Sequence, residues 1–248
     1  MCMFSAVVTS VSTTKIFART SSSGEGSSER QYLVYAMDYE AQADLAMILP
    51  LPTPPDSPED SVRFIDLSDY EDFFYDLYRP YITRSYSGRE TLNVVDVGSF
   101  QASFVPTQED FQRLDPRFRL PEDVWSQLPQ YSDYGFAVFK LKSGAKKVHP
   151  MAFEFPRRAG VGLFFPTVHV HDGEVESEAE FGHTLYCQSA TSFKESGLGD
   201  HLFAKKASEH VDIQRAQGIV DAELPIQMQM MFGRYPNEDV ILDELMTG

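Results

Sequence analysis

No apolar run in this chain is longer than Leu45–Leu51, and that one contains Pro50. A run of that length is far short of the ~20 residues a helix needs to cross a bilayer. The other apolar residues fall into short runs bounded by Ser, Gly, Pro and Asp, the pattern of many short strands joined by turns. Cys2 to Thr9, Thr14 to Arg19, Gln31 to Met37 and Leu45 to Leu49 read as four strands of an antiparallel meander. The loop TSSSGEGSSE separates the second from the third. LPLPTPPDSPED at 49–60 has too many prolines for a ladder and no helical period, so it reads as a surface loop or a short linker. Ser61 to Leu67 returns to strand.

Helical signals are brief. Ser68-Asp-Tyr-Glu71 has the Ser-x-x-Glu spacing of a capping box. Behind it Tyr70, Phe73, Phe74, Leu77 and Tyr78 recur at helical spacing until Pro80. Leu92 to Val97 and Phe100 to Val105 read as strands broken at Gly98. Thr107 starts a short helix carrying Phe111 and Leu114, closed by Pro116. Pro121-Glu-Asp starts another, with acids at the positive end of the helix dipole, carrying Val124, Trp125 and Leu128. From Gly135 the pattern is mainly strand: 135–141, 147–155, 162–171 and 183–188. Phe203 to Arg215 reads as a helix. Ile226, Met228, Met230 and Phe232 alternate like a half-buried strand, and Asn237-Glu-Asp is placed to cap a last helix. The expected fold class is α+β, mostly antiparallel β-sheet with a few short helices, built as one domain over 1–248 or as two lobes about the Pro-rich passage at 50–60.

Composition narrows the function. With 19 Phe and 12 Tyr among 248 residues, the chain can fill a substantial core. A formal charge of −16, with no basic cluster beyond Lys146-Lys147, Arg157-Arg158 and Lys205-Lys206, argues against gripping nucleic acid or an anionic membrane surface. Two cysteines 185 positions apart make no disulfide framework. The start MCMFSAVVTSVSTTK lacks a positive n-region, so a soluble, cytoplasmic protein is expected.

The order of segments carries a resemblance. A Cys-containing first strand is followed by VYAMDYEAQADLAMILPLPTPP and NVVDVGSFQASFVP, then by a short helical pair, YGFAVFKLKSG and VHPMAFEFP. This layout, over roughly residues 2–170, resembles a bacterial family of unknown function. The resemblance implies a fold and no activity. Members of that family are commonly exported, whereas this chain shows no signal.

The densest chemistry lies in FFPTVHVHDGEVESEAEFGHTLYCQ, residues 164–188, with three histidines, one cysteine and five carboxylates. On a strand over 162–171, Thr167, His169 and His171 share a face. If that strand pairs antiparallel with 183–188 about Ser177, His171 falls opposite His183, with Cβ atoms about 4.5–5.5 Å apart. Three neutral imidazoles on one face, with Glu174 or Glu176 as fourth ligand, make a site for a divalent transition metal such as Zn, Fe or Cu. The His-x-His followed by an acid also resembles the metal motif of cupin barrels, although the second cupin motif is absent. Asp172, Glu174, Glu176, Glu178 and Glu180 alternate through the acidic connection, the pattern of a solvated loop. Cys2, if Met1 is removed, would join thiol nucleophile and amine base in one residue, as in N-terminal-nucleophile amidases. Cys187 lies about 13 Å along the strand from His183, too far for a thiolate–imidazolium dyad. No phosphate-binding Gly-rich loop, Gly-x-Ser-x-Gly elbow or His-Glu-x-x-His motif is present. Three readings stay open: a metal-binding protein or metalloenzyme, a non-enzymatic protein-interaction module, and an N-terminal Cys amide hydrolase. The partner is a protein or a small-molecule substrate.

Overall fold

A computed structural model describes residues 3–21, 29–81, 101–171, 173–189, 193 and 201–243. Within them the strands are β1 (Met3–Phe4), β2 (Ser10–Ser21), β3 (Arg30–Ala41), β4 (Leu45–Leu51), β5 (Arg63–Asp66), β6 (Gln101–Val105), β7 (Gly135–Leu141), β8 (Gly144–Lys147), β9 (Met151–Pro156), β10 (Leu163–Phe165), β11 (Glu178–Gln188), β12 (His201–Lys206), β13 (Pro225–Pro236) and β14 (Val240–Leu242). The α-helices among the described residues are two short ones, α1 (Phe73–Tyr78) and α2 (Glu122–Ser126). The chain is therefore β-rich and mostly antiparallel, with β11 and β2 running parallel. None of its described helices is long and apolar enough to cross a membrane.

Alternation along the strands sorts the core into layers. An eight-stranded sheet runs β12-β13-β11-β2-β3-β9-β5, with β8 also on β3, and a four-stranded sheet runs β1-β4-β7-β6. Ile16, Leu33, Phe153 and Leu185 of the large sheet share one apolar cluster with Met47, Leu49, Ala137 and Phe139 of the small one, so that cluster fills the space between the sheets. Residues of opposite parity point outward. Phe17, Val34, Tyr186 and Met228 on the outer face of the large sheet are covered by α1 and by apolar residues of 207–220. Ala46, Ile48, Phe136 and Val138 on the outer face of the small sheet are covered by Phe111, Phe118, Val124 and Leu128. Leu45–Leu51 is buried at every position because the central strand β4 has an apolar layer on each side.

Several local expectations fail for identifiable reasons. The capping box at Ser68–Glu71 does not form; α1 starts after Asp72 without a side-chain cap, and Ser68 N–H donates to Asp66 Oδ1. Residues 203–215 are not a helix. β12 runs to Lys206, and the Ala207 and Ser208 amides then donate to the Leu224 and Ala222 carbonyls, which leaves a single 3-10 turn at Ala207–Glu209. Asn237–Asp239 caps no helix, since the segment continues into β14. The strand expected over 162–171 is reduced to β10, paired with β14, and Pro166 after it has no N–H for a ladder. Accordingly the hairpin between 162–171 and 183–188 is absent: from His183 to Cys187 both edges of β11 are taken, by β13 and by β2. The expected strand at 92–97 lies outside the described residues.

Candidate functional site

From Thr167 to His169 the chain crosses the interior without a ladder, its main chain held by side chains from far along the sequence, and Val170 then bridges Met3 in parallel, its carbonyl accepting from Phe4 N–H. Asn237 acts as a one-residue strand: its Oδ1 accepts from His169 N–H at 2.7 Å, and its Nδ2 donates to the His169 carbonyl at 3.0 Å. Nδ2 also donates to the Glu176 carbonyl at 2.9 Å, which ties down the acidic connection. Asp239 Oδ1 accepts from the Thr167 and Val168 amides at 2.8 and 3.2 Å, and Oδ2 accepts from the Tyr131 hydroxyl at 2.6 Å. The Asp239 residue as a whole is only partly buried, but both carboxylate oxygens face these inner donors. Desolvation raises its pKa to about 6, against the pull of those hydrogen bonds. Sequence reading placed Asn237 and Asp239 on a helix cap; the short polar residues were visible, their targets 68 to 72 positions away were not.

This clamp delivers the histidines to β11 from another direction than a hairpin would. The His169 ring stacks on Phe181 at 4.4 Å between centroids and on His171 at 5.4 Å, while His183 meets it edge-on at 5.2 Å. Phe181 and His183 are two apart on β11 and so share the buried face, 4.8 Å apart. Phe4 closes on His171 at 5.7 Å, and the His171 carbonyl accepts from Val8 N–H. His183 is fully buried and His169 nearly so. Burial, with the neighbouring imidazoles adding to it, lowers the His169 pKa to about 2 and holds His183 far below the ordinary histidine value. Both rings are therefore neutral at pH 7, the form that ligates metals. The His169–His171 pair, however, lies face to face with 14° between planes, an arrangement for packing. Among the described residues no group of three His, Cys, Asp or Glu side chains is set to hold a metal ion.

The remaining expected residues disperse. Glu174 and Glu176 have exposed side chains on the connection. Cys2 lies outside the described residues. Cys187 is a free, buried thiol whose pKa is raised by desolvation, which disfavours the reactive thiolate.

A feature that sequence reading missed lies on the opposite face of β11. A cavity of about 470 Å³ opens between β2 and β11, with Thr13 and Lys15 on one wall and Glu180, Gly182 and Phe232 on the other. Phe232 lies opposite Gly182 in the β11–β13 ladder and is 64% exposed. A Cβ placed at Gly182 would meet no atom within 4 Å. Phe232 was visible in the sequence as the end of an alternating apolar run; that it stands 64% exposed is a property of the fold.

No family model and no curated protein matches the chain. Among solved structures it is similar to the crystal structure of baculovirus P35, at 12% identity and a TM-score of 0.55, covering 97% of this chain and 100% of that one. It is also matched to a mutated baculovirus P35 after caspase cleavage, at 12% identity and a TM-score of 0.45, covering 93% of this chain and 97% of that one. At these identities the first likeness is one of fold.

Proposed function

We propose that this chain is a non-catalytic protein-interaction protein, a β scaffold that presents an apolar feature to a protein partner. The observation that carries the reading is Phe232, a large aromatic left 64% exposed beside an open cavity. Burying such a side chain is worth about 1.5–3 kcal/mol, so its exposure fits a surface that a partner completes. The fold likeness to baculovirus P35 supports the scaffold. Because a P35 variant is described as cleaved by a caspase, a caspase-type protease is the first partner to assay. Purified chain and active caspase, analysed by size-exclusion chromatography and by peptidase activity, are expected to co-elute, with the protease inhibited. A chain that leaves the protease free and fully active removes this partner. Turnover of a substrate by the chain itself removes the non-catalytic reading.

A second reading rests on the buried imidazoles. The Nε2 atom of His169 is buried without a hydrogen-bond partner, and the His171 and His183 rings lie beside it. We propose that His169, His171 and His183 bind a divalent transition metal after a turn of the stacked rings, with Glu174 or Glu176 as a further ligand. Elemental analysis after exposure to Zn²⁺ tests it, and His171→Ala is expected to abolish the bound metal while leaving the fold. Equal metal content in the wild type and in His171→Ala would sink this reading.

A further inference from the structure

Among the described residues, β11 is laddered along nearly its whole length on one side and only over its C-terminal part on the other. β2 follows β11 in parallel from Thr14 opposite His183 to Arg19 opposite Gln188. On the N-terminal side of Thr14, β2 leaves β11 and stays with β3, where Ser10 to Ser12 pair with Glu40 to Asp38. The departure coincides with a break in register between Ser12 and Lys15, where Thr13 has φ 55°. That conformation is a true outlier for a β-branched residue, costing on the order of 1–3 kcal/mol, and such strain collects at functional sites. As a result Glu178–Gly182 is laddered to β13 on one side, and among the described residues no strand is laddered to it on the other.

The cavity lies along this open edge. On the same outer face, Tyr186 and Met228 are covered by α1 and residues 207–220, but that cover stops short of Gly182 and Phe232. An open strand edge is a row of N–H and C=O groups at ladder spacing, and the chemistry that satisfies it is another extended backbone. Five residues of edge, about 16 Å at strand rise, accommodate a segment of similar length. Phe232 offers an apolar seat at the end of that edge. Charge selects further. Glu176, Glu178 and Glu180 are exposed along the approach in a chain of net charge −16. Lys15 and Arg234 stand against them, and Arg234 is already paired with Glu178 at 3.4 Å. A second copy of the chain would bring the same negative charge to the edge.

We propose that the open edge Glu178–Gly182 receives, by strand addition, an extended segment of a partner polypeptide that alternates basic and apolar side chains, with one apolar side chain seated on Phe232. The inference rests on the protein-interaction reading and names its surface and the chemistry of its occupant. The test uses the full chain and a labelled heptapeptide alternating lysine and valine, with a glutamate–valine counterpart as control. The lysine–valine peptide is expected to bind and to slow amide exchange in 178–182 by about tenfold or more. Phe232→Ser and Gly182→Trp are each expected to weaken binding by about tenfold or more at unchanged melting temperature, since one side chain is exposed and the other position opens on empty space. Equal binding of the glutamate–valine peptide, binding without protection of 178–182, or binding unaffected by both variants would overturn the proposal. Protection of 178–182 by self-association alone would overturn it in favour of a second copy. If the chain captures a protein partner while 178–182 stays unprotected, the interaction reading stands and only this surface fails.

Discussion

Two buried polar groups meet the 167–171 segment within a few residues of each other, and they are built on opposite terms. Around Asp239 both carboxylate oxygens accept: two amides on Oδ1 and a tyrosine hydroxyl on Oδ2. Thr167 completes the set, its hydroxyl donating to the Glu238 carbonyl and accepting from Val240 N–H. Around His169 the ring is held by stacking, and its Nε2 is buried with no hydrogen-bond partner. Filled networks rigidify a fold, whereas a buried polar atom left unfilled costs about 1–3 kcal/mol and calls for another explanation. The carboxylate is thus the structural half of the region, and the imidazoles are the half that carries a functional question.

The comparison is sharpest in its pH dependence, where the two groups oppose each other. His169 and His183 have folded pKa values below the unfolded value, so the unfolded chain binds more protons than the folded one once pH falls below about 6.5. Stability is then lost at about 1.4 kcal/mol per pH unit for each ring. His210, also lowered first of all by burial, adds in the same direction. Between pH 7 and pH 4 the expected loss from the two rings is on the order of 7 kcal/mol, partly offset by Asp239. Urea midpoints measured at pH 7, 6, 5 and 4 should fall steadily. A flat profile across this range would mean that the rings are not buried neutral.

How much of this was readable beforehand differs between the parts. Runs bounded by turn signals, such as the nearly continuous apolar Gly135–Leu141 and the alternating stretch from Ile226 to Phe232, emerge as the strands expected of them. Their partners do not follow from local pattern: β11 joins β2 across more than 160 residues, a pairing that depends on how both faces of the sheet are covered. The histidine cluster shows the same division. His-x-His spacing and a third histidine twelve residues on were plain, but the geometry that gathers the rings runs through Asn237, on a segment read as a helix start. The fate of 203–215 was illegible for a related reason, since the Leu224 and Ala222 carbonyls capture its first amides. The groove was hidden altogether, because it arises from a strand departing at Thr13 and from cover that ends before Phe232.

The smaller effect isolates the structural half. Asp239 has its folded pKa raised to about 6 from an ordinary 3.8, so the folded chain binds the extra proton between those values. Its contribution to stability is fully present below about pH 3.8 and is lost as pH rises through about 6, on the order of 3 kcal/mol in all. In the window from pH 4 to 6 it therefore subtracts about 1.4 kcal/mol per pH unit from the slope set by the histidines. Asp239→Asn keeps an acceptor for the Thr167 and Val168 amides and cannot titrate. Its slope of stability against pH in that window is expected to be about twice that of the wild type, with the two curves parallel above pH 7. The measurement is the difference in urea midpoint between wild type and Asp239→Asn at pH 4, 5, 6 and 7.5. Curves that stay parallel throughout would show that Asp239 is ionised across the whole range, with its three donors outweighing desolvation. The clamp would then be a charge-assisted network, and the acid sensitivity of the region would belong to the histidines alone.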